Sequence, residues 1–91
     1  MTYTVKPTAR FRKDLKLAQK RGYDIDLLTM VIKKLAMGEC LEESYLDHPL
    51  RGVYAGCREC HITPDWLLIY EISAQTLILY LTRTGTHSDL Y

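Results

Sequence analysis

Three histidines carry most of the chemistry open to this chain. His48 stands in Asp47-His48-Pro49-Leu50, His61 opens His61-Ile62-Thr63-Pro64-Asp65-Trp66, and His87 closes Arg83-Thr84-Gly85-Thr86-His87. Imidazole titrates near neutral pH, so each can give or take a proton. Asp65 and Arg83 lie in the same polar turns. Histidines, a carboxylate and an arginine suit cleavage of a phosphodiester, and RNA brings its own nucleophile in the 2′-OH. Such a reaction needs a base for that proton, an acid for the departing 5′-oxygen and positive charge on the crowded phosphate. The fork of Arg83 matches phosphate oxygens two at a time. An aromatic can stack on a splayed base, and Trp66 and Tyr91 are the candidates, although Trp66 reads more readily as core.

Two other chemistries fit less well. Cys57-Arg58-Glu59-Cys60-His61 has the spacing of covalent c-type haem attachment. It falls in a strand candidate, where alternation sends Cys57 and Cys60 to opposite faces, so both cannot reach one haem or one zinc. The same alternation groups Cys57, Glu59 and His61 on one face and Arg58, Cys60 and Ile62 on the other. His48, His61, His87 and Asp65 are of the types that suit zinc or iron. However, no H-x-x-x-H or H-x-H spacing occurs, and Arg83 would oppose a cation. Neither a metal nor a cofactor is expected.

The elements that must position these residues follow from the hydrophobic periods. Tyr3-Thr4-Val5 reads as a short strand. Phe11, Leu15 and Ala18 recur at helical spacing behind Thr8, a suitable N-cap, and Gly22 is a stop. Asp24 or Asp26 opens a second helix with Ile25, Leu28, Val31, Ile32 and Leu35 on one stripe, ended by Gly38. The short link at Gly22-Tyr23 implies an antiparallel helix pair. Residues 39–50 are acidic and irregular. Strands are expected at about Val53–Ile62, Trp66–Ile72 and Leu77–Arg83, joined by short turns into an antiparallel meander. The fold class is therefore α+β: two N-terminal helices on a mainly antiparallel four-stranded sheet, in the order β-α-α-β-β-β, as one domain over residues 1–91.

Composition adds an asymmetry. Residues 1–34 hold nine Lys/Arg against three Asp, and residues 35–91 hold three Arg against eight Asp/Glu. A basic half on a near-neutral chain gives a one-sided surface for polyanions, unless its Lys and Arg only solvate outer helix faces. Met1-Thr2-Tyr3-Thr4-Val5-Lys6 has no apolar run behind a basic start, and no stretch approaches the ~18 apolar residues of a membrane span. Three cysteines, an odd number, fit free thiols in a reducing compartment. The expected place is the cytoplasm, away from any membrane.

Three motifs taken together point to a family. Asp47-His48-Pro49-Leu50-Arg51-Gly52, then Cys60 to Tyr70, then Arg83 to Tyr91 in order, with Lys16-Leu17-Ala18-Gln19-Lys20-Arg21 ahead of them, resemble the YafQ branch of the RelE/ParE toxin superfamily nearly end to end. The resemblance implies a toxin of a bacterial type II toxin–antitoxin pair. It also implies the microbial-ribonuclease-like α+β fold and a ribosome-dependent, metal-free endoribonuclease that cuts mRNA in the aminoacyl site. By that likeness His87 is the general acid. His48, His61 and Asp65 activate the 2′-OH and hold the phosphate, without a division of roles among them. Arg83 is the transition-state clamp, and Trp66, Tyr91 and Arg51 bind substrate. The family's usual final aromatic is Phe, so Tyr91 is a departure. Lys13, Lys16, Lys20 and Arg21 would contact 16S rRNA, or lie under an acidic segment of the cognate antitoxin. The alternatives are a ParE-like toxin acting on DNA gyrase, which has no need of the histidines, and an inactive antitoxin-binding module.

Overall fold

The computed structural model describes residues 2–91. Strand β1 (Thr4–Pro7) leads into helix α1 (Ala9–Lys20), then helix α2 (Ile25–Ala36), and then four strands: β2 (His48–Pro49), β3 (Arg58–Thr63), β4 (Trp66–Ser73) and β5 (Ile78–Gly85). A short helix, α3 (His87–Leu90), follows. The sheet order is β1-β5-β4-β3-β2. All neighbours are antiparallel except β1, which runs parallel to β5.

The helix ends are where the sequence puts them. Thr8 caps α1 by accepting the Phe11 N–H at 3.0 Å, and its hydroxyl donates to the Thr82 carbonyl at 2.9 Å. One side chain thus starts a helix and ties it to β5. Gly22, at φ +77°, takes the left-handed turn that ends α1, a region L side chains avoid. The Asp24 carboxylate caps α2 by accepting the Asp26 N–H at 3.1 Å.

Both helices pack on one face of the sheet. Phe11 and Ala18 of α1 and Leu28, Val31 and Leu35 of α2 meet Cys60, Ile62, Trp66, Leu68, Tyr70, Leu79 and Leu81. At about 25 cal/mol per Å² of apolar surface buried, this layer is the main source of stability. The other face carries a smaller apolar group of Cys57, Leu67, Ile69 and Leu90, with Leu50 and Tyr54 against it. Among the described residues, no helix is long and apolar enough to cross a membrane.

Three features differ from the sequence expectation. The sheet has five strands rather than four, because His48 and Pro49 pair with Glu59 and Arg58. A two-residue strand containing proline leaves no alternation to read. Residues 53–57 are not strand: Gly52 (φ +67°) and Gly56 (φ +91°) bracket a single 3-10 turn at Gly52–Tyr54, so β3 begins at Arg58. Helix α3 was also not expected, since four residues show no period. Its signature is a capping box, Thr86-x-x-Asp89, with both reciprocal bonds formed.

Candidate active site

Glu59 is the centre of the open face. Its side chain is 6% exposed, and two imidazoles reach one carboxylate oxygen: His48 Nε2 at 3.5 Å and His61 Nε2 at 3.9 Å from Oε1. The phenol of Tyr91 donates to Oε2 at 2.5 Å. Burial, with the Glu59 carboxylate beside it, holds that phenol above its ordinary pKa. The period of two along β3 explains the grouping. Glu59 and His61 point to the open face while Cys60 and Ile62 enter the helix-side core.

Both imidazoles are oriented by backbone carbonyls. His48 Nδ1 lies 2.7 Å from the Leu46 oxygen and His61 Nδ1 lies 3.3 Å from the Pro64 oxygen. A carbonyl only accepts, so each Nδ1 is the protonated nitrogen. Each Nε2, with its exchangeable proton or lone pair, is then aimed at Glu59. The loop that carries His48 is fixed one residue earlier. The Asp47 carboxylate accepts from Tyr70 Oη at 2.6 Å and from Arg58 Nε at 3.0 Å.

Arg83 reaches the open face through a bulge. Tyr70 pairs with Leu81 but Ile69 pairs with Arg83, so β5 has one residue extra at Thr82. Strict alternation from Leu79 and Leu81 would have sent Arg83 under the helices. β1 stops opposite Leu81, and beyond it Asp14 of α1 takes over the edge of β5. Its carboxylate accepts from Arg83 Nε (2.8 Å), Arg83 Nη2 (3.1 Å) and the Thr84 N–H (3.2 Å). These bonds, with the Asp14 charge, raise the already high pKa of Arg83. Nη1 remains, 3.4 Å from the Tyr54 hydroxyl, which itself donates to the Leu90 carbonyl at 2.9 Å.

His87 is exposed at the first position of α3, with its ring centroid 4.7 Å from that of Tyr91. The Tyr91 ring also meets Tyr54 edge-on at 5.5 Å. Histidines 48, 61 and 87, Arg83 and Tyr91 are therefore linked through Glu59, Tyr54 and Tyr91. Arg51 lies beside them in a cleft with Val53, Tyr54, Leu90 and Tyr91.

Asp65 and Trp66 make other contacts. Asp65 is exposed on the turn before β4, over a cavity lined by Tyr23, Asp24, Leu27, Thr63 and Trp66. Among the described residues it makes no hydrogen bond or ion pair with the histidines. Trp66 is 3% exposed, packs against Tyr23 at 5.0 Å and donates its indole N–H to Thr84 Oγ1 at 2.9 Å. It belongs to the helix-side core rather than to a stacking surface, because Trp66, Leu68 and Tyr70 share the face under the helices. Arg21 is exposed and paired with Asp89. The sequence reading missed Glu59, Asp14 and Tyr54 as members of the group. For Glu59 a signal existed, since alternation placed it beside His61. Among the described residues, no three His, Cys, Asp or Glu side chains are grouped closely enough to hold a metal ion.

One face of the sheet is thus dry and helix-covered, and the other gathers histidines, a buried carboxylate and a clamped arginine. The family described as bacterial toxin of type II toxin–antitoxin system, YafQ, matches residues 3–91, and the chain belongs to that family. It is 40% identical over 85 residues to the mRNA interferase toxin YafQ of Escherichia coli K12, covering 92% of this chain and 90% of that one. The structure of the E. coli DinJ–YafQ toxin–antitoxin complex matches with TM-score 0.90 and 37% identity, over 100% of this chain and 99% of that chain. A metal-bound toxin from Helicobacter pylori matches with TM-score 0.91 and 44% identity, over the whole of both chains.

Proposed function

We propose that this chain is an mRNA interferase, the toxin of a type II pair, which cuts message on the ribosome and is silenced by a cognate antitoxin. The observation that carries the reading is the buried Glu59 carboxylate with the Nε2 atoms of His48 and His61 on one oxygen. That group accepts the 2′-OH proton. The O2′–P bond forms, the P–O5′ bond breaks, and His87 gives the leaving 5′-oxygen its proton. Arg83, held from behind by Asp14, presents Nη1 to the charge that builds on the phosphate. Tyr91 supplies a ring for a splayed base once its hydroxyl leaves Glu59, and Arg51 a charge beside it. Within this reading Glu59 takes the place that the family resemblance implied for Asp65, since it is the carboxylate the imidazoles touch.

Lys13, Lys16 and Lys20 on α1 supply phosphate contacts to ribosomal RNA, a salt-sensitive mode of binding. Translating ribosomes place the work in the cytoplasm. The test is induction of wild type and His87→Ala in a bacterial host, with 5′-ends mapped on ribosome-bound message. New 5′-ends and arrested growth are expected for wild type alone. Equal arrest by both proteins with intact message would overturn the reading, and unchanged supercoiling by purified gyrase would separate it from a gyrase toxin.

A further inference from the structure

Helix α3 has four residues, far short of the ~12–15 at which an isolated helix holds together. Yet it begins with His87 and delivers Tyr91 to Glu59. Leu90 is buried and its carbonyl accepts from Tyr54, and Asp89 adds further ties. One carboxylate oxygen, Oδ2, accepts the Thr86 N–H at 2.9 Å and completes the capping box. The same carboxylate receives both arms of the Arg21 guanidinium, Nη1 on Oδ2 at 2.6 Å and Nη2 on Oδ1 at 3.1 Å. Gly85 leaves room for this: a Cβ there would stand 2.9 Å from Asp89 Oδ2. The Arg21 bonds, then those of Thr86, draw Asp89 well below the usual carboxylate range.

A capping box alone would orient the helix axis. It would not tie the helix to α1. The planar fork to Arg21, the residue that ends α1 and lies 68 positions away in sequence, supplies that second anchor. From these contacts we infer that Arg21 and Asp89 are positioning residues for His87 and Tyr91, holding α3 in the orientation that sets the imidazole against the Tyr91 ring whose hydroxyl reaches Glu59. The inference rests on the reading of His87 and Glu59 as the acid and base. It removes Arg21 from the set of RNA-contact residues.

The two roles for Arg21 separate cleanly in kinetics. We would compare Arg21→Ala, Arg21→Lys and Asp89→Asn with wild type in single-turnover cleavage on ribosomes programmed with a short message. Small misplacement of a catalytic group lowers the rate of the chemical step, so a loss of about tenfold or more in the saturated rate is expected, with the half-saturating concentration unchanged. Lysine keeps the charge and loses the fork, so Arg21→Lys falls with Arg21→Ala. An RNA-contact role predicts the reverse. Half-saturation then rises for Arg21→Ala, is largely spared in Arg21→Lys, and improves in Asp89→Asn, which frees the guanidinium. That pattern, or saturated rates equal to wild type, would overturn the inference. His87→Ala in the same assay shows whether the acid itself is correctly assigned. The His87 imidazole resonances of the free protein read its orientation without any cleavage. They should shift in Arg21→Ala and Asp89→Asn while core resonances stay in place, and unmoved His87 signals would also defeat the inference.

Discussion

Glu59 and Cys60 are neighbours on β3, and each is almost sealed from solvent. Cys60 is wrapped by helix-side apolar groups, and burial pushes its thiol up to about 12. Glu59 is surrounded by two imidazoles and a phenol. The same strand thus serves two solvents. On one side the environment rejects charge, and on the other it gathers charge around a single carboxylate. A strand can do this because successive side chains leave on opposite faces. The cost of error also differs between faces. Damage under the helices should appear as lost stability, and damage on the open face as lost rate.

Four experiments bear on that contrast. Glu59→Gln keeps shape and removes the charge, so single-turnover cleavage should fall by about 100-fold or more, the usual scale of acid–base assistance. Its unfolding midpoint should stay near wild type, and a collapse of stability with full activity per folded molecule would merge the two faces. Leu68→Ala, fully buried on the helix side, should cost about 2–5 kcal/mol in denaturant unfolding and leave the rate per folded molecule intact. Cys60 gives a pH signature. Its folded pKa lies above the ~8.5 of an unfolded thiol, so its contribution is whole below about pH 8.5 and shrinks as pH rises toward 12, by at most about 1.4 kcal/mol per unit. Stability of wild type should therefore decline on that limb more steeply than that of Cys60→Ala. Trp66→Phe removes the bond to Thr84 and should cost about 1 kcal/mol with half-saturation by message unchanged. A marked rise in half-saturation would return Trp66 to the RNA-binding surface.

The helices were readable because their signals are local. Thr8, Gly22 and Asp24 cap or stop them within a turn, and Phe11, Ala18, Leu28, Val31 and Leu35 mark the buried stripe. The alternation on β3 was readable for the same reason, and it already placed Glu59 with His61. What the sequence hid is non-local. Nothing near Arg83 announces that Thr82 is an extra residue in β5, or that Asp14 waits 69 positions away. Asp65 lies four residues from His61 across a turn, but the turn sets it over the cavity beside Tyr23, and it bonds to neither imidazole. The contact set of Trp66 follows from its parity with Leu68 and Tyr70, a periodicity that the D-W pair by itself conceals.

The pairing of β1 with β5 carries a consequence for synthesis. Strand β1 has its hydrogen-bonding partner in residues 78–81, and α1 docks on a strand that is made well after it. Such long-range pairing delays folding until the late segment is available. Arg83, His87 and Tyr91 arrive later still. The sheet, and with it the face that gathers His48, Glu59 and His61, is therefore completed only once β5 has been made.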